Sequence, residues 1–365
     1  MDNDVILVIV VGTALVFDFT NGFHDTANVV ATSISTRAMP PRLAVAYASV
    51  LNFAGAFLSI AVAATIAQDV VASDAITPTV VFAGLIGAIS WNLITWYYGL
   101  PSSSSHALIG GVVGAAFVAA GADAVLGDGV LGKVLVPAVV APVLAFVVGG
   151  IAIVVCYRTV GRLRPGPVSR GYRLGQVVSG GLLALAHGTN DAQKTMGVIT
   201  LALITNGNLS ADADPPTWVI ITAATAIALG TYSGGWRIIR TMGTRIIKMD
   251  PAQGFSAQGA GAAVILASTH YGFPLSTTQV ISGGVMGAGA GKRLSAVRWG
   301  IAGNIVTAWL LTLPAAAAIG ALAYGVTRVF GTGSLGPAVV TAIGLALVAA
   351  AFARRIRQGA PVPAP

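Results

Sequence analysis

The sequence predicts an all-α polytopic membrane protein with about 11 membrane segments, within a range of roughly 10–12, arranged as two inverted-topology repeats. Each repeat is predicted to contain a Pro/Ser-rich re-entrant helical hairpin. Three observations lead to this fold class: recurring apolar runs, alternating loop charge, and two motifs that each occur twice. Of the 365 residues, 55% are hydrophobic and 9% are charged, whereas soluble domains have about 25% charged residues.

Apolar runs near the length of a membrane span recur from one end of the chain to the other. They lie near residues 5–24, 43–66, 79–98, 104–121, 134–156, 175–203, 217–236, 256–270, 275–291, 299–325 and 336–353. The pattern divides the chain into a first repeat (1–156), a cytoplasmic linker (157–174), a second repeat (175–325), an extra C-terminal membrane helix (326–353) and a disordered cytoplasmic tail (354–365).

Loop charge predicts the orientation of these segments. Five loops, at residues 37–42, 158–173, 237–248, 292–298 and 354–357, hold 17 of the 20 Lys and Arg residues. Basic loops tend to stay in the cytoplasm, so the N-terminus is predicted outside and the C-terminus in the cytoplasm. The hairpin at 79–121 then begins and ends outside, whereas the one at 256–291 begins and ends inside. The two halves are therefore predicted to have opposite orientations.

The formal net charge is +8. The basic residues form no continuous face or motif, which argues against a nucleic-acid partner, and the anionic leaflet of a lipid bilayer explains them. Arg outnumbers Lys 16 to 4, and Ala, Gly and Val dominate. This composition is typical of GC-rich bacteria, so we expect the plasma (inner) membrane of a bacterium. The single cysteine, Cys156, excludes an internal disulfide and is expected to be a packing residue.

Two turns rich in proline and hydroxyl side chains repeat the same pattern. They read Gly99-Leu-Pro-Ser-Ser-Ser-Ser-His106 and Gly272-Phe-Pro-Leu-Ser-Thr-Thr-Gln279, 173 residues apart. Proline suits the first turn of a helix, so Pro101 and Pro274 are predicted to begin new helices. The hydroxyls and free N–H groups of such helix starts form an anion site without Arg or Lys. N-capping and close packing of membrane helices are the alternative explanation.

Two Asp motifs occur in other apolar runs, Gly22-Phe-His-Asp-Thr-Ala-Asn28 and Gly188-Thr-Asn-Asp-Ala-Gln-Lys194, 166 residues apart. An Asp inside a span costs about 2.5–3.5 kcal/mol, so Asp25 and Asp191 need partners. The glycines are predicted to unwind the helices and expose carbonyls, and the nearby amides are Asn21, Asn28 and Asn190. Such oxygens bind a hard cation such as Na⁺, or the Asp carries a proton itself. A structural polar network is the alternative.

All four histidines, His24, His106, His187 and His270, lie in or beside these motifs. Each one alone is typical of a hydrogen-bonded core residue, and together they are candidates for proton handling. No pair has the spacing of metal ligands on one helix, so zinc is not predicted. Asp18, seven residues before Asp25, either joins the polar network or lies near the outer interface.

With these motifs, the sequence resembles the inorganic phosphate transporter (PiT) family. That family carries a Gly-Ala-Asn-Asp-x-Ala-Asn signature in each half, at residues 22–28 and 188–194 here, and the two turns also resemble family motifs. The resemblance implies symport of phosphate with a cation through an elevator-like inverted-repeat fold. By this resemblance, phosphate would be bound by Ser103, Ser104, Ser105, Ser276, Thr277, Thr278 and Gln279. By the same resemblance, Asp25, Asn28 and Asp191 would serve coupling and are the candidate Na⁺ ligands. From their residue types and positions in the motifs, His24, Asn190 and Lys194 are added as candidates for cation or proton coupling.

Two departures from the signature affect the coupling ion. His24 replaces the first Asn, and Gln193-Lys194 replaces the end of the second copy. Na⁺-coupled members of the family carry Asn at the position of Lys194, by the same resemblance. The ammonium would stand where a cation binds, or pair with an Asp or with phosphate; a lysine that extends to an interface is the alternative. We therefore favour H⁺ coupling over Na⁺ coupling, with both open.

The predicted function is import of inorganic phosphate by alternating access, without enzyme activity or cofactor and with a homodimer left open. A sulfate permease of the same fold is one alternative, although protonated phosphate, unlike sulfate, can donate a hydrogen bond to an ionised Asp. A channel is another alternative. An intramembrane hydrolase is a more remote one, because Ser103 and His106 lie three residues apart but no Gly-x-Ser-x-Gly motif is present.

Overall fold

The computed structural model describes residues 2–68, 71, 76–210, 212–331 and 333–357. Throughout these residues the regular structure is helical, and β-structure is limited to two isolated bridges, Val71–Val125 and Ile247–Val297. The structure thus confirms the all-α prediction. Residues 358–365 of the predicted tail lie outside the described part of the chain.

The two halves contain the same order of elements. The first half consists of α1 (Asp2–Ser35), α2 (Pro41–Gly55), α3 (Ala61–Gln68), α4 (Pro78–Tyr98), α5 (Ser104–Ala120), α6 (Gly127–Gly129) and α7 (Val136–Val160). The second half consists of α8 (Pro165–Thr205), α9 (Thr217–Ser233), α10 (Trp236–Arg240), α11 (Pro251–His270), α12 (Thr277–Lys292) and α13 (Trp299–Val329), and α14 (Leu335–Arg357) follows. Each half is a long helix, a broken pair, a two-helix hairpin and a second long helix.

The ends of several helices differ from the predicted boundaries. α7 continues to Val160 and α8 begins at Pro165, so most of the predicted linker at 157–174 is helical. α14 likewise runs to Arg357, into the predicted tail. Intrahelical hydrogen bonds can extend a helix beyond its apolar stretch. Pro165 begins α8 without losing a bond, because the first N–H groups of a helix have no intrahelical partner.

Two segments predicted as single spans are broken in the structure. The run at 43–66 forms α2 and α3, and near the start of α3 the Val62 N–H donates to Gln193 Oε1 at 2.7 Å. The run at 217–236 passes into a second helical segment that is bent by 59°. The bend includes Gly234, whose φ of 71° lies in the left-handed region that glycine adopts without strain.

In the described part of the chain, four helices are long and apolar enough to cross a membrane: Asp4–Ser35, Pro78–Tyr98, Gly127–Val160 and Trp299–Val329. The bent pair raises this number to five. The predicted number of about 11 membrane segments therefore stays a prediction. Apolar side chains such as Val139 on α7 and Leu310 on α13 are exposed by 66% and 73%, which suits contact with lipid.

Buried apolar side chains form two clusters that show how the helices run. α1 passes from the first cluster (Ile6 to Phe17) into the second (Ala27 to Ala31). α8 passes in the opposite sense, because Leu183 belongs to the second cluster and Met196 to the first. The two signature-bearing helices are therefore antiparallel.

The two hairpins approach the middle of the molecule from opposite clusters. α4 and α5 both pack in the first cluster, whereas α11 and α12 both pack in the second. Between the clusters lies a polar layer, which we define as residues 18–28 of α1, residues 187–195 of α8 and the two turns at 99–106 and 272–279. Each hairpin thus brings its turn to the same polar layer.

The signature glycines provide close helix contact instead of unwinding. α1 and α8 are continuous through Gly22 and Gly188. A Cβ at Gly22 would lie 2.2 Å from the Ile227 carbonyl oxygen of α9, and one at Gly188 would lie 2.1 Å from the Asn52 carbonyl oxygen of α2. The expectation of unwound helices was therefore wrong, because these glycines allow helix backbones to touch.

Candidate functional site

The two Pro-containing turns lie on opposite sides of the polar layer and have the same backbone design. Each follows a glycine with positive φ, Gly99 at 66° and Gly272 at 72°. The next helix begins at Ser104 in the first turn and at Thr277 in the second. Pro101 and Pro274 therefore lie three residues before the helices, not in their first turns as predicted.

The residue before each of these helices is a serine that caps it. Ser103 Oγ accepts the His106 N–H at 3.1 Å, and Ser276 Oγ accepts the Gln279 N–H at 3.3 Å. A serine oxygen satisfies one of the free N–H groups at a helix start, whereas proline offers no side-chain acceptor. For these two predicted phosphate ligands, the alternative N-cap interpretation therefore describes the present conformation.

Asp25 is held by donors from its own helix and from the second turn. His24 Nδ1 lies 2.6 Å from Asp25 Oδ1, and Thr277 and Thr278 each donate to Asp25 at 3.3 Å. His24 Nε2 lies 3.2 Å from Thr95 Oγ1 and 3.3 Å from Ser102 Oγ. His24 thus connects Asp25 to the first hairpin.

Thr277 connects the two signature carboxylates. Its hydroxyl lies 3.3 Å from Asp25 Oδ2 and 3.1 Å from Asp191 Oδ2. Asn28 Nδ2 donates to Thr278 Oγ1 at 2.9 Å and to Thr277 Oγ1 at 3.3 Å. Because a hydroxyl has one proton to donate, Thr277 can serve only one carboxylate at a time.

Asp191 forms a buried ion pair with Lys194, one helical turn later on α8. His187 Nε2 lies 2.9 Å from the other Asp191 oxygen. The Lys194 ammonium also donates to the Leu275 carbonyl oxygen at 2.9 Å, and the side chain is 1% exposed. Lys194 therefore points into the polar layer, and the alternative of a lysine that extends to an interface does not describe it.

Three buried acidic and histidine side chains of the polar layer form a candidate cation site. Ligand atoms of Asp25, His187 and Asp191 all lie within 4.8 Å of one another. However, the Lys194 ammonium already contacts Asp191, and the Thr277 hydroxyl lies between the carboxylates. A metal ion next to an ammonium would be repelled, so the donor set does not fit a metal ion in this arrangement.

Several predicted ligands keep unused acceptors or donors in the polar layer. Among the described residues, Ser104 Oγ, Asn28 Oδ1, Asn190 Oδ1 and Gln279 Oε1 have no hydrogen-bond partner. Ser105 Oγ donates to the Leu275 carbonyl oxygen at 2.8 Å, which joins the first turn directly to the second.

Asn190 and the remaining histidines lie in different surroundings. Asn190 Nδ2 donates to Thr269 Oγ1 of α11 at 2.9 Å, so it supports the second hairpin. Gln279 Nε2 and His106 Nδ1 lie 3.4 Å apart. These residues occupy the same position in the two repeated turns, where the turns differ in sequence, and their contact joins the turns. His270 is exposed at the end of α11 and lies away from the layer's hydrogen bonds. Of the four histidines, the layer thus contains His24, His106 and His187.

Sequence reasoning missed two polar residues that support the site, Thr95 and Asn52, and gave Ser102 of the first turn a different role. Thr95 and Ser102 bind His24, and Asn52 Oδ1 lies 3.3 Å from His187 Nδ1. The sequence did contain a signal for Asn52, since it is an isolated amide within an apolar run. Its partner, however, lies 135 positions away and is identified by the fold.

The model of the phosphate transporter family matches this chain at residues 21–169 and 164–320. The chain belongs to this family. It is 56% identical over 327 residues to the probable low-affinity inorganic phosphate transporter of Mycobacterium tuberculosis strain H37Rv, which covers 89% of this chain and 78% of that protein. Identity to the Bacillus subtilis protein of the same name is 45% over 322 residues, which covers 88% of this chain and 96% of that protein.

A solved structure named the sodium-dependent phosphate transporter has the same fold. It superposes with a TM-score of 0.79 and covers 89% of this chain and 99% of that chain, at 24% sequence identity. These findings confirm the resemblance drawn from the motifs. Because the family members are phosphate transporters, this chain is a non-enzymatic membrane protein, and the hydrolase alternative is set aside.

Proposed function

We propose that this family member is a secondary active transporter that imports inorganic phosphate by symport with protons across a bacterial inner membrane. The observation that carries the proposal is the Lys194 ammonium, which lies in the polar layer on Asp191 and on the Leu275 carbonyl oxygen. This ammonium, which belongs to the protein itself, supplies the positive charge that a bound Na⁺ would otherwise provide.

The substrate is argued from the chemistry of the two turns. Their hydroxyls and the N-termini of α5 and α12 face one another across the polar layer and suit an oxyanion. The nearby carboxylates Asp25 and Asp191 would repel a fully ionised anion. Protonated phosphate can donate a hydrogen bond to such a carboxylate and sulfate cannot, which favours phosphate. A sulfate permease stays the second candidate, because the hydroxyl groups of the two turns suit both anions.

Proton coupling is argued from the charge of the layer. The three charged groups at the turns, Asp25, Asp191 and Lys194, leave a net charge of −1 if the histidines are neutral. A Na⁺ ion at Asp25, Asn28 and Asp191 would have to displace the ammonium or bind beside it. The solved structure named as sodium-dependent is 24% identical to this chain. At that identity the similarity supports the same fold, but it does not indicate which ion is coupled.

Alternating access is argued from the two hairpins. They reach the polar layer from opposite clusters, and the hydrogen bond from Ser105 to the Leu275 carbonyl joins their turns. The antiparallel course of α1 and α8 supports inverted repeats. The loop charges favour an N-terminus outside and a C-terminus in the cytoplasm. Separation of the turns from one side at a time would open the layer to that side.

The test is uptake of radiolabelled phosphate into proteoliposomes at fixed pH. Uptake is measured with Na⁺ or choline as the main cation, and with or without an inward proton gradient. We expect saturable uptake that the proton gradient drives in either salt. Strong dependence on Na⁺ would overturn the proton assignment, and sulfate entry without phosphate entry would overturn the substrate. Uptake that does not saturate would instead indicate a channel.

Variants of Asp25 and Asp191 test whether the signature carboxylates are needed for this uptake. Asp25→Asn and Asp191→Asn are expected to abolish gradient-driven uptake while expression is retained. Each substitution removes a negative charge that accepts hydrogen bonds from side chains of the polar layer. Asp123→Asn, at an exposed residue between α5 and α6, is the matched control and should transport normally. Normal transport by either signature variant would remove that carboxylate from the mechanism.

A further inference from the structure

Asp18 is a buried carboxyl group that the proposed phosphate site does not use. It lies on α1, two turns before Asp25 and about 10 Å away along the helix axis, and its side chain is 0% exposed. Neither of its oxygens has a hydrogen-bond partner among the described residues. An ionised carboxylate in such surroundings is very costly, so this position calls for a bound cation or proton.

The groups next to Asp18 are also unsatisfied. Asn21 of α1 and Thr195 of α8 are its polar neighbours. Within the described chain, neither the amide of Asn21 nor the hydroxyl of Thr195 has a hydrogen-bond partner. Both residues are at most 1% exposed. Asn21 and Thr195 thus present polar atoms to Asp18 without completing hydrogen bonds of good geometry, which is rare for buried polar groups in folded proteins.

The charged groups that act on Asp18 lie on a single neighbouring helix. They are Asp191 and Lys194 of α8. On α1 itself, the nearest titratable groups are His24 and Asp25, two turns further on. Of the other helices that contact α1, the two that pack most extensively against it, α4 and α9, contain no Asp, Glu, Lys, Arg or His. The charged or histidine side chains of α5 and α10 do not act on Asp18. A charge change at Asp18 would therefore be felt mainly by the Lys194–Asp191 pair.

The position of Asp18 in the layer is also informative. Because α1 and α8 are antiparallel, the step from Asp25 back to Asp18 and the step from Asp191 on to Thr195 both lead toward the first apolar cluster. The loop-charge pattern places that end of the molecule outside. Asp18 therefore lies between the turns and the side from which phosphate is proposed to enter.

We propose that Asp18 binds the proton that is coupled to phosphate uptake, an assignment that rests on the proposed function. The carboxylate takes up one proton from the outer solution and becomes a neutral carboxyl group, whose O–H then donates to Asn21 Oδ1 or to Thr195 Oγ1. This removes one negative charge from the approach to the layer before the anion enters. It also leaves Lys194 on Asp191, the arrangement described above. The proton leaves to the cytoplasm after phosphate is released.

The other two carboxyl groups are less suited to this role. Asp191 is paired with an ammonium, and Asp25 accepts from His24, Thr277 and Thr278. Such partners stabilise the ionised form of a carboxyl group. Among the described residues, Asp18 has neither an ion pair nor a hydrogen bond of good geometry, although Asn21 and Thr195 lie beside it and Lys194 acts on it from α8.

Asp18→Asn tests the assignment, because Asn resembles a carboxyl group that is permanently protonated. Two activities are compared in proteoliposomes: exchange of labelled for unlabelled phosphate without a gradient, and net accumulation driven by an imposed pH gradient. We expect exchange to be retained and gradient-driven accumulation to be lost. Accumulation equal to that of the wild type overturns the proposal, and so does loss of both activities in protein that elutes as a single species.

Two further variants keep the result clear. Asp18→Glu retains a carboxyl group and is expected to retain gradient-driven accumulation with a shifted pH profile; an unchanged profile overturns the proposal. Thr200→Val, which removes another buried unpartnered hydroxyl of α8, is the matched control and should leave both activities unchanged. If Asp18→Asn abolishes accumulation driven by Na⁺ but not by protons, the site binds Na⁺ and the proton assignment is wrong.

The two proposals fail in different ways. If this chain does not transport phosphate, the wild type shows neither exchange nor accumulation. If only the assignment of Asp18 is wrong, the wild type shows both activities and Asp18→Asn resembles it or loses both.

Discussion

At the scale of single residues, Lys194 distinguishes this site most clearly. It occupies the last position of the second signature copy, and its counterpart in the first copy is Asn28. The same position in the two halves therefore holds an ammonium on one side and an amide on the other. Lys194 binds a carboxylate and a backbone carbonyl of the second turn, so it links α8 to the second hairpin.

We expect Lys194→Met to destabilise the protein by about 3–5 kcal/mol, because it leaves the buried Asp191 carboxylate without its counter-charge. Thermal unfolding of the purified protein in detergent measures the effect. The double variant Lys194→Met/Asp191→Asn should be more stable than Lys194→Met alone. Equal stability of the two would mean that the ion pair is not the source of the loss.

The Thr277 hydroxyl, which lies between the two carboxylates, gives a second residue-level prediction. Hydrogen bonds to charged groups are worth about 1.5–3 kcal/mol, so Thr277→Val should lower uptake efficiency roughly tenfold or more. Thr277→Ser keeps the hydroxyl and should retain most of the activity. Initial rates of phosphate uptake over a range of concentrations provide the measurement. Similar losses in both variants would point to the methyl group and to packing.

At the scale of elements, the sequence predicts the positions of the two hairpin turns but not the positions of the helix breaks. Each hairpin is marked locally, by a glycine, a proline and a run of hydroxyl residues within one turn. The start of α3 is capped both locally, by Ser59, and from a distant helix, since Gln193 of α8 accepts the N–H of Val62. The contact with Gln193 spans 131 residues and is not visible in the local pattern.

The close contact of α8 with α2 predicts a strong effect at one glycine. Gly188→Ala should lower stability and transport, since its methyl group would lie 2.1 Å from a backbone oxygen of α2. Gly171→Ala lies on the same helix with no atom within 4 Å of the added carbon. It should be neutral or stabilising by up to about 1 kcal/mol. Melting temperatures and uptake rates of the two variants provide the comparison, and equal effects would exclude the contact as the cause.

At the scale of the whole molecule, the fold brings together residues that are far apart in the sequence. Thr277 and Asp25 are 252 positions apart and are linked by a hydrogen bond. The polar layer that they form separates two apolar clusters, each built from both halves of the chain. Movement of one turn would therefore change contacts in both halves, as the proposed alternating access requires.

The orientation of the whole molecule is testable through its single native cysteine. In a Cys156→Ser background, we expect Asp123→Cys to react with a membrane-impermeant maleimide in intact cells. Arg293→Cys should react only after the membrane is opened, because the loop between α12 and α13 is predicted to be cytoplasmic. Both positions are exposed in the structure. The reverse labelling pattern would invert the topology and place Asp18 on the cytoplasmic side of the turns.

The sequence alone determined the helical class, the family and the chemical character of the site. Apolar runs, repeated motifs and buried charges carry this information locally, because hydrocarbon penalises unpartnered polar groups wherever they occur. It did not determine the capping by Ser103 and Ser276, the packing of Gly22 and Gly188, or the isolation of Asp18. Those features were decided by the tertiary structure, because they depend on which backbone and side-chain atoms of distant helices come within contact distance.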